Sequence, residues 1–234
     1  MKFFEFNLIF SGFLLLFYIV LRKKVLAALA YLLLGLVLGM KLLHCFNLND
    51  IFNCIAISFF IFFLILISLA VLKHENKIFK TFSLQILIAI WIYLFFSFTS
   101  KSFLIKMVAE HTAFLGSLFG FKINNVDGII NANGYELRML FECTAIEGLS
   151  IFSGAILGLG PGRLNFKKII AFSLLLIFIY VMNLFRNLIV CLICGYLLFG
   201  DNSFFVAHNV IAKFFSLLVV FVVAYLCFRI FPEL

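Results

Sequence analysis

The chain has 234 residues, of which 66% are hydrophobic and 12% charged. A soluble globular domain carries roughly a quarter charged residues, so a soluble fold is excluded and an integral membrane protein is expected. The formal net charge of +8 is not read as nucleic-acid binding, because the lysines and arginines gather in short clusters between apolar runs, where they report orientation.

Lipid offers backbone groups no water, so spanning segments are helices or closed barrels. The apolar runs here approach ~20 residues without the alternation of barrel strands, which predicts an all-α helical bundle. In chain order they lie near 3–21, 25–43, 51–72, 81–98, 139–159, 167–199 and 204–229, about seven transmembrane helices in a single membrane domain. Residues 1–98 are its amino-terminal helices, 99–138 an extracytoplasmic insertion and 139–229 the helices that carry chemistry. The run from Leu8 to Leu21 has a poor basic leader and no small-residue cleavage site before Arg22, so it is read as a retained helix and not as a signal peptide.

Basic residues accumulate on the cytoplasmic side of a membrane. With seven crossings, Arg22, Lys23 and Lys24, then Lys73, Lys77 and Lys80, then Arg163, Lys167 and Lys168, and finally Arg229 share one side. Asp50, Glu110, Asp127, Glu136, Glu142 and Asp201 fall on the other. The amino terminus is then expected outside and the carboxyl terminus in the cytoplasm.

The insertion has two parts. From Lys101 to Phe119 apolar residues recur at helical spacing around Lys106, Glu110 and His111, which predicts a half-buried amphipathic helix. Beyond it, Asp127-Gly128 and Asn133-Gly134 separate short apolar segments at 123–126, 129–132 and 135–137. Such dipeptides accept positive φ in tight hairpin turns, so a small β-meander is expected. A sheet edge beside a nucleophile can pair with an extended peptide; a structured cap on the bundle fits the pattern equally well.

The candidate nucleophile is Cys143, between Glu142 and Glu147 at the outer start of the fifth run. A helix amino terminus favours a thiolate there, while the two carboxylates oppose it. Cys143 and Glu147, four apart, are expected on one helix face, where Glu147 orients a partner or pairs with Arg186. Arg186 lies about 19 residues into the sixth run, roughly 28 Å along a helix. An arginine inside a span costs ~2.5–3.5 kcal/mol on insertion scales and faces the bundle interior with a task. Asn183 shares its face, and Asn187 adds a second amide. His208 enters one turn into the last run, so all three residues are expected at one depth. A thiol with an imidazole to take its proton and a guanidinium to hold an oxyanion is a constellation for acyl transfer. Asn209 points elsewhere on its helix.

The segments Glu142-Cys143-Thr144-Ala145-Ile146, Asn183-Leu184-Phe185-Arg186 and the early His208 resemble the exosortase/archaeosortase family of membrane transpeptidases, over roughly residues 120–215. The resemblance implies a cysteine transpeptidase or protease with catalytic Cys143, Arg186 and His208. Its partners would be exported proteins with a C-terminal motif, a transmembrane helix and a basic tail, cut before the helix and passed to a lipid or another acceptor. No metal or other cofactor is required, and no nucleic acid is involved. Where many members follow the cysteine with Ser or Thr and then Gly, this chain has Thr144-Ala145.

Other features have plain explanations. Cys45, Cys54, Cys191, Cys194 and Cys227 are read as small hydrophobes, and Cys191-Leu192-Ile193-Cys194 has no second ligand pair. His44 and His74 are solvated or capping, His111 is notable for lying outside, and Lys213 is assigned no role. Two other functions compete: a small transporter or channel lined by Arg186, Glu147 and the asparagines, and an inactive scaffold of a surface-assembly system. A path across the bundle needs polar residues at every depth, and the second to fourth runs have almost none.

Overall fold

The computed structural model describes residues 3–47, 50–74, 76–159 and 165–232. Arg163, of the third basic cluster, lies outside them. The chain forms α1 (Phe3–Leu21), α2 (Lys24–Asn47), α3 (Ile51–Lys73), α4 (Lys77–Thr99) and α5 (Lys101–Leu118), then strands β1 (Ile123–Val126), β2 (Ile129–Ala132) and β3 (Tyr135–Arg138). A 3-10 turn at Phe141–Cys143 precedes α6 (Ile146–Leu157) and α7 (Phe166–Gly195). The short α8 (Ser203–Phe205) passes through a π-helical stretch, Val206–Ile211, into α9 (Ala212–Ile230).

Among the described residues six helical stretches are long and apolar enough to cross a membrane: α1, α2, α3, α4, α7 and the stretch Gly200–Ile230. The protein is a multi-pass membrane protein built as a helical bundle with one small sheet. The fifth apolar run departs from the expected 139–159 helix. Its helix has 12 residues, about 18 Å of rise against a hydrocarbon core of ~30 Å. The backbone breaks ahead of it, where Thr144 bonds back to Phe141 and Ala145 takes a φ of 64°. The expected helix runs through Glu142 and Glu147, and the break falls between those two carboxylates.

Two compact units are present, Met1–Leu94 with Ser150–Pro161, and Phe95–Leu149 with Gly162–Leu234. In the first, α2 presents Ala27, Ala28 and Ala30 as buried small residues, which lets neighbouring helices approach closely where no hydrophobic force distinguishes helix from lipid. Polar side chains finish the packing. Tyr31 and Ser83 hydroxyls lie 2.6 Å apart, and Ser68 donates to the Ala28 carbonyl at 3.1 Å. Gln85 of α4 donates to the Ala155 carbonyl of α6 at 2.8 Å. Gly154 permits that approach, since a Cβ there would stand 2.7 Å from Ala89 Cβ.

In the second unit α5 buries Val108, Ala109, Thr112, Ala113 and Gly116 along one stripe and exposes Lys106, Glu110 and His111, the amphipathic helix expected. The sheet is the antiparallel meander β1-β2-β3. Ile123 opposes Ala132, and Ile130 opposes Leu137. Both turns carry the anticipated chemistry. Asp127 and Asn133 have φ of 52° and 51°, with glycine following each. Asn125 and Asn131 side chains accept from the N–H groups of Gly128 and Gly134 at 3.1 and 2.9 Å. Ile123, Ile130 and Ala132 bury one face of the sheet together with Leu184, Leu188 and Cys191 of α7. A Cβ on Gly116 would meet Ile123, and one on Gly195 would stand 2.6 Å from the Ala132 carbonyl oxygen, so two glycines let the sheet settle between α5 and α7.

Candidate active site

The turn that carries Cys143 is built from local bonds. Cys143 donates its N–H to the Leu140 carbonyl at 3.0 Å, and Thr144 donates both its N–H (3.0 Å) and its hydroxyl (2.7 Å) to Phe141. Phe141 is buried, with Lys101 Nζ 5.3 Å from its ring centre. Cys143 therefore precedes α6 and is not part of its first turn. It and Glu147 do not share a helix face; Glu147 is exposed in the first turn of α6. Glu142 is exposed as well.

What fixes the turn against the bundle is α7. Asn183 Nδ2 donates to the Cys143 carbonyl at 2.8 Å, and Asn187 Nδ2 donates to the same oxygen at 3.0 Å. The two amides are four residues apart, one above the other on a helix face, and together they use both lone pairs of that carbonyl. Asn187, 3% exposed, turns its Oδ1 to Arg186, whose Nη1 donates to it at 3.0 Å. One amide thus joins the main chain of Cys143 to the Arg186 guanidinium. Arg186 Nε is buried and, among the described residues, has no hydrogen-bond partner. A buried donor left unmade costs ~1–3 kcal/mol, so this N–H is suited to an acceptor that arrives with a substrate.

His208 sits in the π-helical stretch, its ring 5.5 Å from that of Phe204. Ala207 beside it is fully buried against Ile193 and Cys194, with Ile189, Val190 and Ile211 around them. That packing sets the His208 segment on the turns of α7 that follow Arg186. A π-bulge widens a helix by one residue per turn and recurs at functional sites; nothing in the residue types announces it. At the far end of the same unit, Lys168 Nζ lies 5.9 Å from the Phe231 ring, so the start of α7 and the end of α9, with their Lys167, Lys168 and Arg229, stand together. Arg186 is 20 residues beyond Phe166, about 30 Å along the helix. Site and basic cluster occupy opposite ends.

Asn187 was expected only as a second amide near Arg186, and the four-residue spacing of Asn183 and Asn187 was the available signal that the two share a face. One feature escaped the sequence. Tyr180, three before Asn183, has its hydroxyl 2.7 Å from His111 Nδ1 and joins α7 to α5. The remaining cysteines, Cys45, Cys54, Cys191, Cys194 and Cys227, are buried, whereas Cys143 is partly accessible.

A model of the transmembrane exosortase family (Exosortase_EpsH) matches residues 4–229. Archaeosortase A of Natronomonas pharaonis is 32% identical over 120 residues, a match that takes in 43% of this chain and 37% of that relative's length. No solved structure matches the chain. Because the family match runs through the Cys143 turn, α7 and the π-helical stretch as well as the amino-terminal helices, the chain belongs to the transmembrane exosortase family.

Proposed function

We propose that this protein is a membrane-embedded cysteine transpeptidase or protease that cleaves the C-terminal sorting signal of exported proteins, with Cys143 as nucleophile, Arg186 as oxyanion cation and His208 as acid and base. The observation that carries this is the pair of amides from Asn183 and Asn187 on the Cys143 carbonyl, one of them also holding Arg186. It supports a site in which thiol and guanidinium are indexed to one helix. The separation of this end of α7 from Lys167 and Lys168 supports an extracytoplasmic location, with the carboxyl terminus in the cytoplasm.

In the first step His208 takes the thiol proton, Sγ attacks the scissile carbonyl, and Arg186 stabilises the oxyanion. The C–N bond breaks, its nitrogen receives the proton from His208, and a thioester remains on Cys143. In the second step an acceptor nucleophile, from a lipid or another molecule, gives its proton to His208 and displaces the thiolate, which is reprotonated. The substrate is an exported protein whose tail carries a recognition motif, a transmembrane helix and a basic cluster.

The test is tail removal in cells together with labelling of Cys143 by a membrane-impermeant thiol reagent applied from outside. The other five cysteines are buried, so labelling reports on one residue. Cys143→Ala abolishes tail removal while the chain stays in the membrane, and His208→Ala slows labelling. Normal processing by Cys143→Ala overturns the proposal.

A further inference from the structure

Along an antiparallel strand, alternate residues send both main-chain groups to the partner and the others send them away. Met139 donates its N–H to the Gly128 carbonyl at 3.0 Å, and the pairing of β2 with β3 places Arg138 opposite Ile129 and Leu137 opposite Ile130. The alternation therefore turns Tyr135, Leu137 and Met139 towards β2. Glu136 and Arg138 point their N–H and C=O groups to the other side, where β3 is the last strand of the sheet. Among the described residues, no other element bonds to those groups. Leu140 is still extended (φ −106°, ψ 164°) and adds one more outward N–H, its carbonyl being taken by Cys143.

The opposite edge of the sheet differs. Ile123 of β1 is 5% exposed beside Gly116 of α5, and its N–H is already bonded to the Phe121 carbonyl at 3.0 Å. At the β3 edge, by contrast, the outward N–H groups of Glu136 and Arg138 have no main-chain partner among the described residues. This edge is flanked by the exposed Glu136, Arg138 and Leu140, and the chain leaves it directly into the turn of Cys143.

We infer that the β3 edge is the docking rail for the substrate, which adds its extended segment as a fourth strand and is led along Glu136, Arg138 and Leu140 to the thiol. This rests on the transpeptidase reading above. The occupant follows from the chemistry of the rail. Donor and acceptor groups recur every second residue, about 6.8 Å apart in an antiparallel strand, and only another extended polypeptide offers the complementary spacing. A lipid headgroup lacks the repeat, and a transmembrane helix has spent its own main-chain groups internally. The tail is therefore unwound where it meets the rail, and its helix begins beyond the cut.

The experiment uses the full-length protein in membranes and, as substrate, the exported protein that accumulates with an uncut tail when this chain is deleted. Arg138→Pro removes one outward N–H without touching the β2 ladder, since proline is tolerated on an edge strand at a position that makes no ladder bond. Arg138→Ala removes the side chain and keeps that N–H. Tail removal by the proline variant falls roughly threefold to tenfold below that of the alanine variant, the effect of one lost main-chain bond, while Cys143 is still alkylated by iodoacetamide. Equal processing by the two variants, with Cys143→Ala inactive, overturns the rail and leaves the nucleophile standing. Processing by Cys143→Ala overturns both. Should the proline variant fail to accumulate, a photo-crosslinking residue at position 136 in a Cys143→Ala background decides the matter. Capture of the precursor through the segment before its cleavage point supports the rail; capture of only a second copy of this chain, or of neither, contradicts it.

Discussion

Ala145 has a φ of 64°, a left-handed conformation that costs an L-residue other than glycine roughly 1 kcal/mol or more. Many members of the resembled family have glycine at this position, and the left-handed backbone here gives a physical reason for it. Ala145→Gly relieves the strain, with an expected gain of up to about 1 kcal/mol set against the extra freedom of the unfolded glycine. Thermal unfolding in detergent checks it, and a lower midpoint would count against the strain. Asn187 is the second residue where structure adds to sequence. Asn187→Leu removes one donor from the Cys143 carbonyl and leaves Arg186 Nη1 without its acceptor. An Arg186 so released loses its registration, and tail removal is expected to fall ~10²–10³-fold, as when an oxyanion donor is lost, with the amount of protein in the membrane unchanged. Cys143, Arg186 and His208 stood out in the sequence because polar side chains are rare in apolar runs. The clamp did not, because its acceptor is a main-chain carbonyl and carries no residue signature.

At the scale of elements, the meander was readable almost to the residue, since Asp127-Gly128 and Asn133-Gly134 dictate the two turns and therefore the register. Its seat on α7 was not readable. Gly195→Ala would set a Cβ 2.6 Å from the Ala132 carbonyl oxygen, a backbone atom that cannot swing aside. Overpacking of this kind costs typically ~1–3 kcal/mol, so a lower unfolding midpoint is expected, and an unchanged one would show that the sheet can shift freely. The ion pair at the meander's first turn has a pH sign. Lys106 Nζ lies 2.7 Å from Asp127 Oδ1 and holds that carboxyl below its ordinary range. Its contribution is present above the unfolded carboxylate value near ~4 and is lost as pH falls through the lower folded value. Both groups are exposed, so the effect is small. Asp127→Asn, which suits the same turn, should hold a spin-label distance between α5 and β1 near its acid value at every pH, and a distance that still changes on acidification would assign the change to another group. The break before α6 and the π-helical stretch at His208 were hidden for one reason: both are changes of backbone state, and the polar residues in them, Glu142 to Glu147 and His208-Asn209, announce chemistry without announcing a change of helix geometry.

For the whole molecule, composition alone identified a multi-pass helical protein, and the basic clusters proposed its orientation. The division into two units was not visible, because it depends on which apolar faces meet and not on how apolar they are. The Cys143 turn, α5, the sheet, α7 and the His208 segment all belong to the unit Phe95–Leu149 with Gly162–Leu234, so the proposed chemistry is assembled within one compact body. Its most direct test is to incubate membranes holding the protein with the uncut precursor, quench, and look for a covalent adduct by intact mass and peptide mapping. A thioester joining the truncated precursor to Cys143, released by neutral hydroxylamine and missing in Cys143→Ala, is the expected result. Cleavage that proceeds with no such adduct, and equally well in Cys143→Ala, would contradict it.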